Sequence, residues 1–360
     1  MATVSLLSRR MAALLLHEAV RRESVLETVR WLGALQAQDY ESSLWAVGLR
    51  TREATRQEVE QALGERQIVR AWIMRGTWHL APAADIRWMQ DLLATRQLPA
   101  IRRRSAELGF SEAEVRRARA ALEKALTGGR ALSRPELIRV MGEVGCRTDE
   151  QCGNHLLRRF GNEGLLCGAV PAGREATFAL RDEWVTRPRA LAREAALAEL
   201  ALRYFRSHGP ATANDFAWWS SLALGEVRSA IAAAGPTLAR ETIADREHWV
   251  AADSPPAPAL SPVELLPGFD EHLLGYQDRT AVLDDAFAEA VCPGGNGVFR
   301  STLVQRGRVT GLWKKRETAQ QIVVEVSARA PLSAATARAL AKRARQLGVF
   351  HGKPVTIRPL

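Results

Sequence analysis

Two glutamines flank a single alanine in the stretch Leu35-Gln36-Ala37-Gln38-Asp39-Tyr40. Their uncharged amides can accept from a water and orient it, which is equipment for placing a nucleophile rather than for exchanging a proton. Glutamines near a helix end are also commonly solvated or bonded to local backbone, so the pair alone is ambiguous. Asp39 adjoins the pair, but in a helical segment neighbours do not share a face, which argues against it as a base. A second stretch is Arg75-Gly76-Thr77-Trp78-His79-Leu80. Strand alternation sends one of Trp78 and His79 inward and the other outward. His79 reads equally well as a structural histidine or as one that faces a ligand. The third stretch is Leu265-Leu266-Pro267-Gly268-Phe269-Asp270, continuing through Leu274-Gly275-Tyr276-Gln277-Asp278-Arg279. Asp270 and Asp278 there suit capping, or bracing of Arg279.

A late hairpin carries Arg300, Arg306, Arg308, Lys314, Lys315 and Arg316, with Trp313 as a flat apolar plane. A basic ribbon with a protruding turn suits insertion into a groove or tracking of a phosphate strand. Charge on such a ribbon also protects a solvated edge strand. The chain of 360 residues has a formal charge of +10 and a pI near 10.1. That permits a phosphate-bearing partner. Only five of its 50 basic residues are lysine. The arginine excess suits phosphate, whose oxygens its planar fork can grip in pairs, but a GC-rich coding sequence gives the same bias. Cys146, Cys152, Cys167 and Cys292 show neither C-x-x-C pairing nor histidines at ligand spacing, which argues against a zinc site and a disulfide framework. No cofactor or metal is expected. The first thirty residues hold no signal-peptide core, and no apolar run approaches the ~20 residues that span a bilayer. A soluble, cytoplasmic, nucleoid-associated bacterial protein is expected.

The elements that must position these residues recur in one order. Helical rhythm over residues 6–17, a face of Val25, Val29, Leu32 and Leu35, and a third helix over 55–63 precede strands 68–73 and 77–80. Thr51 and Thr55 are possible caps. The glutamines then end the second helix. Ser111 caps a charged helix to about residue 126, and Ser133-Arg134-Pro135-Glu136 opens another with Pro and Glu at capping positions. A helix over 151–163 and strands 165–170 and 176–180, joined by Pro171-Ala172-Gly173-Arg174, complete a second unit. Helices over 192–208, 213–220 and 224–234 and a hairpin around 241–251 give a third, with Arg228, Arg240 and Arg246 as weaker contact candidates. Three helices followed by a ribbon is the winged-helix order. After the linker Ser254-Pro255-Pro256-Ala257-Pro258 come strands 299–305, 309–314 and 321–326 and a final helix over 333–347. The expected fold is α+β, with winged-helix units at 1–108, 109–190 and 191–253 and a β-rich C-terminal module at 254–360.

Over essentially its whole length the chain resembles the AlkZ/YcaQ-type winged-helix DNA glycosylases. Gln36-x-Gln38 matches the family's Gln-apolar-Gln catalytic motif, in which YcaQ-type members carry Asp at the second position. The Arg-Gly-Thr-x-His ribbon, the Leu-Leu-Pro-x-Phe-Asp segment and the basic hairpin also match in order. The resemblance implies a C-shaped protein of three tandem winged helices and a β-rich module that removes N7-alkylated purines and, in some members, unhooks interstrand crosslinks. Gln36 and Gln38 are then the catalytic pair. Arg75, His79, Arg300, Arg306, Arg308, Trp313, Lys314, Lys315 and Arg316 are the candidate contacts to double-stranded DNA. An N7-alkylated purine is cationic and leaves neutral without a general acid, so two amides that hold a water are sufficient equipment. The chain is expected to act as a monomer, and no Lys lies near the motif to form a Schiff base. The rival reading is a winged-helix regulator without catalysis, which would typically need two-fold symmetry.

Overall fold

The computed structural model describes residues 2–149, 151–173, 175–254 and 256–359. Arg174 in the second expected ribbon and Pro255 in the linker lie outside them. The chain is α+β and divides into two compact units, residues 1–59, 197–219 and 223–360 in one and residues 60–196 and 220–222 in the other.

The second unit is built on strands Ile68–Trp72, Trp78–Pro82, Leu132–Ser133, Leu166–Gly168 and Thr177–Leu180. The two expected ribbons do not stand apart. Arg70 pairs with Gly168, so the hairpins share one sheet. Trp72, Trp78 and Phe178 make its aromatic core, with Trp72 and Trp78 centroids 3.5 Å apart. Burying these rings costs less than leaving two half-exposed ribbons in water. A helix that the sequence reading passed over, Ile86–Glu107, packs in this unit, as do Glu112–Leu126, Arg134–Glu143 and Cys152–Asn162. Ser111 with Glu114 and Ser133 with Glu136 form the expected capping boxes.

In the first unit, helices Ala2–Ala13, Val25–Leu32 and Tyr40–Gly48 accompany the 197–208 portion of helix Arg193–His208. Helices Ala213–Ser220 and Leu224–Ala234 and the hairpin Leu238–Ile243/Arg246–Ala251 follow, close to their expected bounds. The C-terminal part is a five-stranded sheet in the order Val355–Pro359, Ile322–Ala328, Arg308–Glu317, Thr302–Gln305 and Val263–Leu266. Helix Ala334–His351, capped by Ser333, lies against it. Val263–Leu266 is buried at all four positions. Two indoles bind its carbonyls: Trp45 donates to Leu265 at 2.9 Å and Trp313 to Leu266 at 2.8 Å.

Candidate active site

Helix Val25–Leu32 stops at Gly33, whose φ of +76° takes the chain out of the helix. The next helix, Tyr40–Gly48, is capped by Asp39, whose carboxylate accepts the Ser42 N–H at 2.7 Å. The glutamine motif therefore lies in an extended segment between helices and not at a helix end. Burial alternates along it: Leu35 is 1% exposed, Gln36 half-buried, Ala37 fully buried and Gln38 exposed. Gln36 ends the strand Leu35–Gln36 and Gln38 lies in the bend that follows, so the two amides are the less buried positions of the stretch. Asp39 is kept from the chemistry by its role as a cap. The Gln36 Oε1 is buried with no donor among the described residues, so its hydrogen-bonding capacity is unused.

Behind the motif sits Glu271, 2% exposed, which the sequence reading did not single out although it follows Asp270 directly. Its Oε1 accepts the backbone N–H of Gln36 at 3.1 Å. Its Oε2 accepts the Trp219 indole N–H at 3.1 Å and lies 3.3 Å from the His208 Nε2. The other His208 nitrogen, Nδ1, is 2.7 Å from Ser207 Oγ. Tyr276 donates to the His208 carbonyl and Tyr204 to that of Gly275, both at 2.8 Å, tying this helix to the Glu271 loop.

Asp270 serves the fold, as expected, but its fork partner is Arg50 and not Arg279. The two Arg50 Nη groups donate to it at 2.8 and 2.7 Å, and Arg50 is wholly buried. The remaining Arg50 donors reach the Leu14 and Ala46 carbonyls. Arg279 donates to the Leu273 carbonyl at 2.7 Å. Asp278 binds Thr280 and Arg246. The Leu-Pro-Gly-Phe-Asp loop lies over the start of helix Tyr40–Gly48. A Cβ on Gly268 would stand 2.8 Å from the Phe299 carbonyl oxygen and 3.5 Å from Ser42 Oγ, a closeness that only glycine permits.

The basic hairpin differs from expectation at its turn. Arg306 and Gly307 both have positive φ, the two-residue form that closes a tight hairpin. This turn does not protrude. The Gly307 Cβ direction meets Met11 Sδ at 3.1 Å and Leu7 Cβ at 3.3 Å, and its carbonyl lies 3.1 Å from His272 Nε2. Burial holds the His272 imidazole down to about 4, so it is neutral and donates that bond. Trp313 is 5% exposed and belongs to the core, so it offers no plane to a base. Arg306 and Arg308 are exposed, Arg308 donating to Ala281 O, and exposed Arg300 donates to Ala290 O.

Lys314, Lys315 and Arg316 sit eight to ten residues further along the strand, roughly 26–33 Å from the turn at ~3.3 Å per residue. Lys315 lies 3.7 Å from Glu41 in the first turn of helix Tyr40–Gly48 and 3.0 Å from Glu317. It is therefore this end of the hairpin that meets the helix following the glutamines. Arg316 pairs with Glu325 at 3.0 Å, and Lys314 is exposed.

In the second unit His79 is fully buried, its Nδ1 3.0 Å from the Thr77 carbonyl. Trp78 is buried as well, against Trp72 and Phe178, and all five positions of strand Trp78–Pro82 are buried, which overrides the expected alternation. A DNA-facing His79 is thereby overturned. Arg75 is half-buried in the turn before that strand, at φ +55°.

The chain belongs to the AlkZ-like DNA glycosylase family, whose model matches residues 29–350, and the resemblance read from the sequence is borne out. A curated relative, the interstrand DNA cross-link repair glycosylase of Streptomyces sahachiroi, is 26% identical over 319 residues, covering 81% of this chain and 82% of the relative. The solved structure of the Streptomyces sahachiroi DNA glycosylase AlkZ shares the fold, with a TM-score of 0.79, 22% identity and 99% of each chain covered. No helix among the described residues is long and apolar enough to cross a membrane.

Proposed function

We propose that this chain is a monofunctional DNA glycosylase that hydrolyses the N-glycosidic bond of N7-alkylated, cationic purines in double-stranded DNA. The observation that carries it is the pair Gln36 and Gln38 as the less buried positions of the segment between two helices, with the Gln36 Oε1 enclosed and lacking a hydrogen-bond donor among the described residues. In this reading the amides hold a water against the sugar. As the C1′–N9 bond breaks, its electron pair neutralises the base, and the water oxygen bonds to C1′ and releases a proton to solvent. The lesion's own charge makes the base a good leaving group, so no general acid is required. Glu271 acts by fixing the Gln36 backbone, since its own oxygens are already engaged by the Gln36 N–H, Trp219 and His208. That rigidity matters because a misplacement of ~1 Å can cost 100-fold.

The helix–helix–hairpin orders support tandem winged-helix units, with the exposed Lys314 and Arg316 and the half-buried Lys315 as the DNA contacts nearest the site and Arg75, Arg300, Arg306 and Arg308 as outlying ones. The name of the Streptomyces relative supports interstrand crosslinks as part of the substrate range, and the same reading takes in bulky adducts. The test is release of N7-methylguanine from duplex DNA. Wild type is expected to release it, and Gln38→Ala to be slower by about 100-fold, the size of losing one oriented polar group. Equal release by both would remove Gln38 from the mechanism. No release from any alkylated duplex would favour a non-catalytic winged-helix regulator.

A further inference from the structure

A pocket of about 480 Å³ in the first unit is lined by Arg21, Arg22, Arg30, Arg203 and Arg206, with Trp31 among them. Three acids, Glu23, Glu27 and Glu199, also line it. Glu23 is paired with Arg52 at 2.9 Å, and Glu199 with Arg203 at 2.7 Å. Arg206 pairs with Asp253. Glu27 is then left facing Arg21, Arg22 and Arg30.

The buried donors are more telling than the charge. Nε and Nη2 of Arg21 and Nε of Arg22 are enclosed and have no acceptor among the described residues. Both side chains are half-buried, with Glu264 and Glu18 near Arg21 and Glu27 near Arg22, but an enclosed donor without an acceptor is costly for a fold to carry. Burial, with Arg343 as a like-charged neighbour, pushes the Arg21 guanidinium down to about 10. Nε and Nη2 of one arginine form a single side-on edge, spaced to meet two oxygens of one tetrahedral or planar anion. Arg22 is held in place beside it, its guanidinium 3.8 Å above the Trp31 ring, whose indole is fixed to the Ala13 carbonyl at 2.7 Å.

We propose that this pocket binds a backbone phosphate of the DNA strand, gripped by the Arg21 edge and Arg22 with Arg30 at the rim. The inference rests on the reading of the chain as a DNA-acting enzyme and adds a subsite to it. Its position suits that role. Trp31 is five residues from Gln36, at most about 18 Å along an extended chain, so the phosphate lies within about five nucleotides of the reacting sugar at 3.4 Å per nucleotide. The intervening chain is packed: the Gly33 Cβ direction meets Arg203 at 3.6 Å and Trp219 at 3.9 Å, and Trp219 donates to Glu271, which holds Gln36. A strand clamped in the pocket is thereby held in register with the glutamines.

The test uses undamaged duplex, so it is independent of base release. Affinity is measured from 50 to 200 mM salt for wild type, Arg21→Met and Arg22→Gln. Each variant is expected to reduce the slope of log K against log salt by about 0.9, one phosphate contact, equal to about 3.5-fold over that range. Arg21→Met is expected to melt close to the wild-type temperature, because an apolar side chain replaces a half-buried cation two of whose donors have no acceptor among the described residues. Titration with inorganic phosphate separates the sources of the anion. Binding that Arg21→Met abolishes and that competes with duplex supports the proposal. Phosphate binding with unchanged salt slopes would assign the pocket to a free phosphate and overturn the DNA contact. Unchanged slopes with no phosphate binding, in variants that melt normally, would overturn the site altogether.

Discussion

Asp270 and Glu271 are consecutive, 3% and 2% exposed, and used in opposite ways. Asp270 meets a fully buried guanidinium in a two-bond fork and also caps the short helix Glu271–Leu274. Its charge is neutralised where it stands, and its partners belong to the scaffold. The bonds to Glu271 come from a backbone amide, an indole and an imidazole, and one of them reaches the glutamine motif. Adjacent carboxylates thus separate into a lock for the fold and a brace for the site. The difference lies in what the chain turn after Asp270 brings opposite each. Burial by itself does not distinguish stability from function; the identity of the donor does.

Removing one partner of the lock should have the greatest consequence for stability. Arg50→Met leaves Asp270 buried and uncompensated, and a cost of roughly 3–5 kcal/mol is expected in chemical denaturation. A loss below about 1 kcal/mol would mean that Asp270 finds water. Glu271→Gln should do the reverse. It turns a donor toward Trp219 or His208, a penalty of roughly 1–3 kcal/mol, while base release falls about tenfold in kcat with KM unchanged. A fall in stability with no change in kcat would reduce Glu271 to scaffold and erase the contrast. Trp313→Phe removes one bond to the Leu266 carbonyl and is expected to cost about 1 kcal/mol. Its salt slope for DNA should match wild type; a flatter slope would restore Trp313 to the interface.

The slightest effect concerns Asp278. The Thr280 hydroxyl and amide, helped by Arg246, hold its carboxyl down to about 2, against an ordinary 3.8. Because the folded value is the lower, its contribution is present above pH 4 and disappears as pH falls through about 2. Asp278→Asn should melt slightly below wild type at pH 6 and equal to it near pH 2. A difference that persists at pH 2 would assign the loss to packing.

Much of the architecture was legible because local signals were strong. Ser111 and Ser133 with Glu three residues on, Gly209-Pro210 before helix Ala213–Ser220, and Arg306-Gly307 between alternating strands each act over a few residues. Helix Ile86–Glu107 was missed because Pro99 and scattered charges blur its period. The motif was found, but its conformation was misjudged. Gln36 and Gln38 appeared to continue a helix, whereas Gly33 ends it and Asp39 caps the next. Glu271, Arg21 and the fate of Trp313 left no local trace, since what each touches lies far along the chain.

The sequence by itself determined the family, the amide pair and most elements, because residue order fixes motifs and short-range caps directly. Tertiary structure decided which charges are buried and against what. It put Glu271 behind Gln36, sealed His79 and Trp313 in cores, and folded the Arg306 turn onto the N-terminal helix. Burial and partnership depend on segments as much as 300 residues apart meeting in space, and that encounter is set by the packing of whole units.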